Sequence, residues 1–192
     1  MRLVTTLALL VLLAPPAMAV VVHDESVDGD LSTNPASPTP ISFVGMSSVI
    51  NGTTGNPGTG VDRDYITFTI PVDRIVNEIR LLGWSPDNLG FLALNAGSTS
   101  FVPGAGTSAS FLAGIHVSAA EVGSNLLPLF VSSSVTTNSL PEPFLGAGTY
   151  CFLAQQTSLI SQSYSFEFIV DFILPTHADS WGAIKALYRT TP

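Results

Sequence analysis

The stretch from Tyr164 to Phe172 alternates along its whole length. Tyr164, Phe166, Phe168, Val170 and Phe172 share one face, and Ser165, Glu167, Ile169 and Asp171 share the other. A period of two is the repeat of a strand with one face on a core and the other turned to water. The same period runs through Tyr65–Ile70, where Ile66, Phe68 and Ile70 oppose Tyr65, Thr67 and Thr69. Other apolar runs lie at Ile75–Trp84, Phe91–Asn95 and Thr149–Gln156, with weaker ones at Ile41–Val44, Ser47–Gly52, Leu112–Val117 and Leu126–Val131. Turn-forming Gly, Ser, Thr and Pro separate them, and stretches of helical period are few. That rhythm predicts an all-β, antiparallel sandwich of jelly-roll type. In Ile75–Trp84, strict alternation puts Glu78, Arg80 and Trp84 on one side and Ile79 and Leu81 on the other.

The N-terminus carries one early positive charge, Arg2, and an apolar run from Leu7 to Ala14. The Pro15–Pro16 pair and Ala17-Met18-Ala19 follow. These are the three parts of a secretory signal, and the run is shorter than the roughly 20 residues a membrane helix needs. The expectation is a signal peptide over 1–19, an acidic lead and Pro-rich connector over 20–40, a sandwich over 41–174 and a tail over 175–192. In the tail, Trp181, Ile184 and Tyr188 fall on one helical face, so a short amphipathic helix is predicted there. The product would be secreted or periplasmic, without a membrane span.

Charge narrows the function. The formal net charge is −8, and only 10% of residues are charged. An acidic, Lys-poor surface repels phosphate backbones, which argues against nucleic-acid binding. The single cysteine, Cys151, sits between Tyr150 and Phe152 and reads as a buried strand residue. His23, His116 and His177 have no metal-ligand spacing, and no G-x-S-x-G elbow accompanies them. Gly104–Ala109 fits a G-x-G-x-x-A pattern but lacks any βαβ context. The chain therefore reads as a non-enzyme. Low-charge loops at 97–110 and 132–148 suit a binding rim.

The acidic residues carry more information because charges are scarce. Asp28 and Asp30 stand two apart, as do Asp62 and Asp64 just before the Tyr65–Ile70 strand. Oxygen ligands so spaced can turn toward one hard cation, and weak extracellular calcium sites work at about 10⁻⁴–10⁻³ M. The alternative is a set of solvated turn acids that protect strand edges. Arg63, between Asp62 and Asp64, is placed to pair with either.

Several segments, taken in order, resemble the bacterial pre-peptidase C-terminal domain and its secreted relatives. They are D-G-D-L-S (28–32), S-S-V-I-N-G-T-T-G (47–55), V-D-R-D-Y-I-T-F-T-I-P (61–71), D-N-L-G-F-L-A-L (87–94), G-A-G-T-Y-C-F-L-A-Q-Q (146–156) and Y-S-F-E-F-I-V (164–170). The resemblance covers residues 27–172 and implies a jelly-roll-like sandwich that accompanies exported proteins. It also implies calcium at Asp28, Asp30, Asp62 and Asp64. The usual context of such a module is a protease or other large enzyme, no part of which is recognised within residues 1–192, and the tail lies outside the resemblance. The expected function is a non-catalytic binding or adhesion module for an extracellular polysaccharide or protein, with Trp84, Tyr65 and Tyr164 as aromatics able to stack on sugars. The alternatives are an assembly subunit of a surface structure and a secreted hydrolase.

Overall fold

The computed structural model describes residues 18–58, 60–104 and 106–173. The predicted signal peptide, apart from its last two residues, and the predicted C-terminal helix lie outside the described residues. The fold is an all-β sandwich. Nine strands are β1 (Val20–Asp24), β2 (Thr39–Pro40), β3 (Ser47–Gly55), β4 (Arg63–Ile70), β5 (Arg74–Ser85), β6 (Gly90–Ala96), β7 (Ala113–Val117), β8 (Gly148–Gln155) and β9 (Ser161–Phe172). They form one sheet in the order β1-β3-β9-β5 and a second in the order β2-β4-β8-β6-β7. Pairing is antiparallel except at two edges, where β1 joins β3 and β2 joins β4 in parallel. The segment read as a lead and connector thus supplies an edge strand to each sheet.

The inner faces of β4 and β9 follow the predicted alternation as far as Val170, whereas Phe172 is exposed and Tyr65, on the opposite face of β4, is buried. Ile66, Phe68 and Ile70 from β4 meet Phe166, Phe168 and Val170 from β9 in one buried core. Phe152 from β8 packs edge-on against both Phe166 and Phe168. Aromatic edge-to-face pairs of this kind add roughly 0.5–1.5 kcal/mol beyond area burial.

Three local readings need correction. In β5 the register against β9 shifts between Val76 and Glu78 and again between Leu81 and Gly83. Each extra residue moves the following side chains to the other face. Trp84 consequently joins Ile79 and Leu81 in the core instead of Glu78 and Arg80 outside. Leu126–Val131 is not a strand: Leu127–Ser132 forms a six-residue helix with a proline in its first turn. Its Leu127 and Phe130 are buried, and a short apolar run does not distinguish strand from helix by period alone. Ile41–Val44 is likewise outside any strand, although Ile41 still donates its amide to the Thr67 carbonyl.

Candidate metal centre

The acidic pocket lies where β1, the β3–β4 crossing and β9 meet. After β1 the chain makes a single helical turn, α1 (Glu25–Asp28). Asp24 caps it by accepting from the Ser26 amide at 3.0 Å and the Ser26 hydroxyl at 2.6 Å. An Asp at an N-cap satisfies an amide that has no partner inside the helix. Asn51 of β3 adds a third donor to Asp24 at 3.1 Å, tying the turn to the sheet. Gly29 follows at φ 91°, a left-handed conformation that glycine adopts without strain.

This turn aims Glu25 inward. Its carboxylate accepts from the Leu31 amide at 3.2 Å and from the Thr53 amide and hydroxyl at 2.7 and 3.1 Å. On the opposite wall, Asp62 and Gly55 exchange both backbone hydrogen bonds, which closes the loop between β3 and β4. Asp64 follows on the inner face of β4, only 2% exposed. Among the described residues, carboxylate oxygens of Glu25, Asp30 and Asp64 lie within 4.8 Å of one another.

The electrostatics of the group are uniform in sign. Burial pushes the Asp64 carboxyl well above the usual range, and the charges of Glu25, Asp62 and Asp30 push it further. Asp62 is raised to about 6 by burial, with Asp30 and Glu25 adding to the shift. Glu25 is raised chiefly by burial, against the pull of its hydrogen bonds. The ion pairs among the described residues join Arg80 to Glu78 and Glu167, so no basic side chain neutralises the pocket. Asp62 Oδ1 and Asp64 Oδ1 are buried without any hydrogen-bond partner. A buried unpartnered acceptor costs roughly 1–3 kcal/mol, and more when charged. All-oxygen donors with uncompensated negative charge fit a hard cation such as calcium.

Of the residues singled out from sequence, Asp30 and Asp64 converge; Asp62 lies outside that close group but near enough to feel the charges of Asp30 and Glu25, and Asp28 stays apart. The Asp28 carboxylate folds back to accept from the Asp24 amide at 2.8 Å, inside its own turn. Glu25 takes its place. Three-residue separation on a helical turn brings Glu25 and Asp28 to neighbouring positions, a cue that i, i+2 spacing overlooks.

The other sequence candidates also resolve. Arg63 donates from Nε to Gln155 Oε1 and pairs with neither aspartate. Trp84, Tyr65 and Tyr164 are at most 5% exposed and cannot offer a face to a sugar. The Trp84 indole donates to the Asn88 carbonyl at 2.6 Å, and Tyr65 donates to the Phe101 carbonyl at 3.2 Å. Cys151 is buried, and its thiol is raised to about 12 by burial. His23 lies against the Gly29 carbonyl at 3.1 Å, and His116 sits edge-on to Phe91. Neither is hydrogen-bonded to a serine or a carboxylate among the described residues. No helix among those residues is long and apolar enough to cross a membrane.

No family model and no curated protein matches the chain. A solved structure of Salmonella Typhimurium PliG, a periplasmic lysozyme inhibitor of g-type lysozyme, is similar at 14% identity and a TM-score of 0.32. The match covers 69% of this chain and 96% of that one.

Proposed function

We propose that this chain is an exported, non-catalytic binding module whose N-terminal turn is locked to the sandwich by a bound calcium ion. The observation that carries this reading is the pair of buried, unpartnered oxygens on Asp62 and Asp64, set among four carboxylates without a basic neighbour. Glu25, Asp30, Asp62 and Asp64 would hold the ion. Bound there, calcium offsets the repulsion that otherwise opposes the native arrangement. Glu25 and Asp30 belong to the segment after β1, whereas Asp62 and Asp64 belong to β4 and the residues just before it, so one ion clamps the N-terminal edge strand. The position of the acids ahead of β4 also supports kinship with the pre-peptidase C-terminal sandwiches.

The test is thermal unfolding of residues 20–192 with calcium and with chelator. A site with a dissociation constant of about 10⁻⁴–10⁻³ M at 10 mM calcium stabilises by roughly 1.5–3 kcal/mol. That corresponds to several degrees in melting temperature for a domain of this size. Asp64→Asn should abolish the calcium-dependent rise while leaving the chelated protein folded. Identical melting curves with and without calcium for the unsubstituted chain would sink the proposal.

A further inference from the structure

The outer face of the second sheet carries a row of side chains that strand register brings together. Arg63 pairs across with Gln155, Gln155 with Phe91, and Phe91 with His116. The row therefore crosses β4, β8, β6 and β7 in one line. Neighbouring strands lie about 4.8 Å apart, so it offers a strip rather than a point. The next row inward on this face, Tyr65, Leu153 and Ala93, is buried with Phe111 and Cys151 as a second small core. Phe111 packs on that row, and Phe101 meets both Phe111 and the Tyr65 hydroxyl. Beside Phe111 lies a groove of about 390 Å³ walled by Gly104, Thr107, Ser108 and Thr136, with Phe91 and His116 on its floor. It continues past Gln155 into a second hollow of about 210 Å³ beside Gln156 and Thr157.

The floor is prepared for an aromatic platform. A Cβ on Gly114 would overlap Thr136 and press on the Phe91 ring at 2.9 Å. Glycine at this one position of β7 lets the ring lie across the neighbouring strand. Phe111 and His116 fix it edge-on from two sides.

The chemistry of the row is one-sided. Arg63 spends only its Nε on Gln155, and it makes no ion pair among the described residues. The amide nitrogen of Gln155 and both ring nitrogens of His116 make no hydrogen bond there. Neither hollow has a carboxylate in its lining, in a chain with 14 Asp and Glu against 6 Lys and Arg. Free donors flanking an apolar ring, beside two hollows without a carboxylate in their linings, are complementary to a ligand with apolar ring faces and acceptor-rich, anionic edges. Guanidinium matches carboxylate in shape as well as charge.

We infer that this row is the ligand-binding face and that it takes an acidic polysaccharide containing uronic-acid residues. A sugar face stacks on Phe91, and carboxylates meet Arg63 on one side and His116 on the other. This rests on the reading of the chain as a binding module and supplies its ligand class.

The experiment is calorimetric titration of calcium-loaded residues 20–192 with oligogalacturonate, with a neutral malto-oligosaccharide as control. Binding to the uronate alone is expected. Phe91→Ala and Arg63→Gln should each weaken it at least tenfold, and Arg63→Gln should also flatten its dependence on salt. His116→Ala, at an exposed position, serves as a third variant that leaves the fold intact. Its calcium-dependent melting should match the parent while its affinity falls. Equal affinity for the neutral glycan, undiminished affinity in all three variants, or binding only to a polypeptide probe such as gelatin would each overturn the inference. If the calcium-dependent rise in melting temperature is present and no uronate binds, the row has failed. If that rise is absent, the metal reading has failed independently.

Discussion

Tyr164 of β9 donates its hydroxyl to Asp64 of β4 at 2.7 Å, one hydrogen bond that joins the two sheets beneath the acidic pocket. It satisfies Asp64 Oδ2 and leaves Oδ1 without a partner. The phenol is held un-ionised, because burial and then the Asp64 and Glu25 charges push it well above its ordinary range. Tyr164 is therefore a fixed donor. Tyr164→Phe removes it and leaves both Asp64 oxygens unpartnered. The expected loss is roughly 1–3 kcal/mol in urea unfolding without calcium. In saturating calcium the loss should shrink, because the ion would satisfy the same carboxylate. An unchanged unfolding midpoint without calcium would show that the bond contributes nothing net.

Gly52 of β3 stands against this pair. A Cβ there would overlap the phenol end of Tyr164 and meet the Glu25 carboxyl carbon at 3.1 Å. Gly52→Ala therefore presses on two walls of the pocket at once. Overpacking of this kind costs typically 1–3 kcal/mol. The further expectation is a weaker response to calcium, since Glu25 must shift. Calorimetric calcium titration of the alanine variant checks this, and an affinity equal to the parent's would place Gly52 outside the site's support.

Glu25 and Asp28 separate two ways of assembling the pocket. If spacing along the chain decided it, Asp28→Asn would abolish the calcium-dependent rise in melting temperature. The geometry reverses this. Glu25→Gln should remove most of that rise, because Glu25 faces Asp30 and Asp64. Asp28→Asn should leave it within error, because the Asp28 carboxylate is engaged by the Asp24 amide. Paired melting curves of the two variants, each with and without calcium, decide between them.

The contrast between these two acids shows where sequence reading stops. Period-two patterns set the inward faces of β4 and β9, since each face is fixed by residues two apart in one strand. The face of Trp84 was hidden because a bulge leaves no signature in hydrophobic alternation. The pairing of β1 with β3 and of β2 with β4 was hidden because edge pairing depends on contacts distant in sequence. Asp62 and Asp64 were legible as a pair of acids at the mouth of a strand. Glu25 was not, because its role comes from a one-turn helix too short to carry a period. The Arg63–Gln155–Phe91–His116 row was still further from view, with one residue drawn from each of four strands.

The pocket's pH dependence should run opposite to that of an ordinary salt-bridged carboxylate. Asp62 is raised to about 6, and Asp64 and Glu25 are raised as well, so the folded chain holds these protons more tightly than the unfolded chain does. Where the folded state binds more protons, stability falls as pH rises. Without calcium, the protein should be more stable near pH 5 than near pH 7.5, with the loss spread from about pH 4 upward. Asp24 works the other way: its hydrogen bonds from Ser26 and Asn51 lower its pKa, so its contribution fades only in stronger acid. Calcium binds the deprotonated carboxylates, so its stabilising effect should grow from pH 5 to pH 7.5. Differential scanning calorimetry of calcium-free and calcium-loaded protein across that range checks both trends. A calcium-free melting temperature that rises from pH 5 to pH 7.5 would mean that the buried carboxylates are compensated by a partner other than a cation.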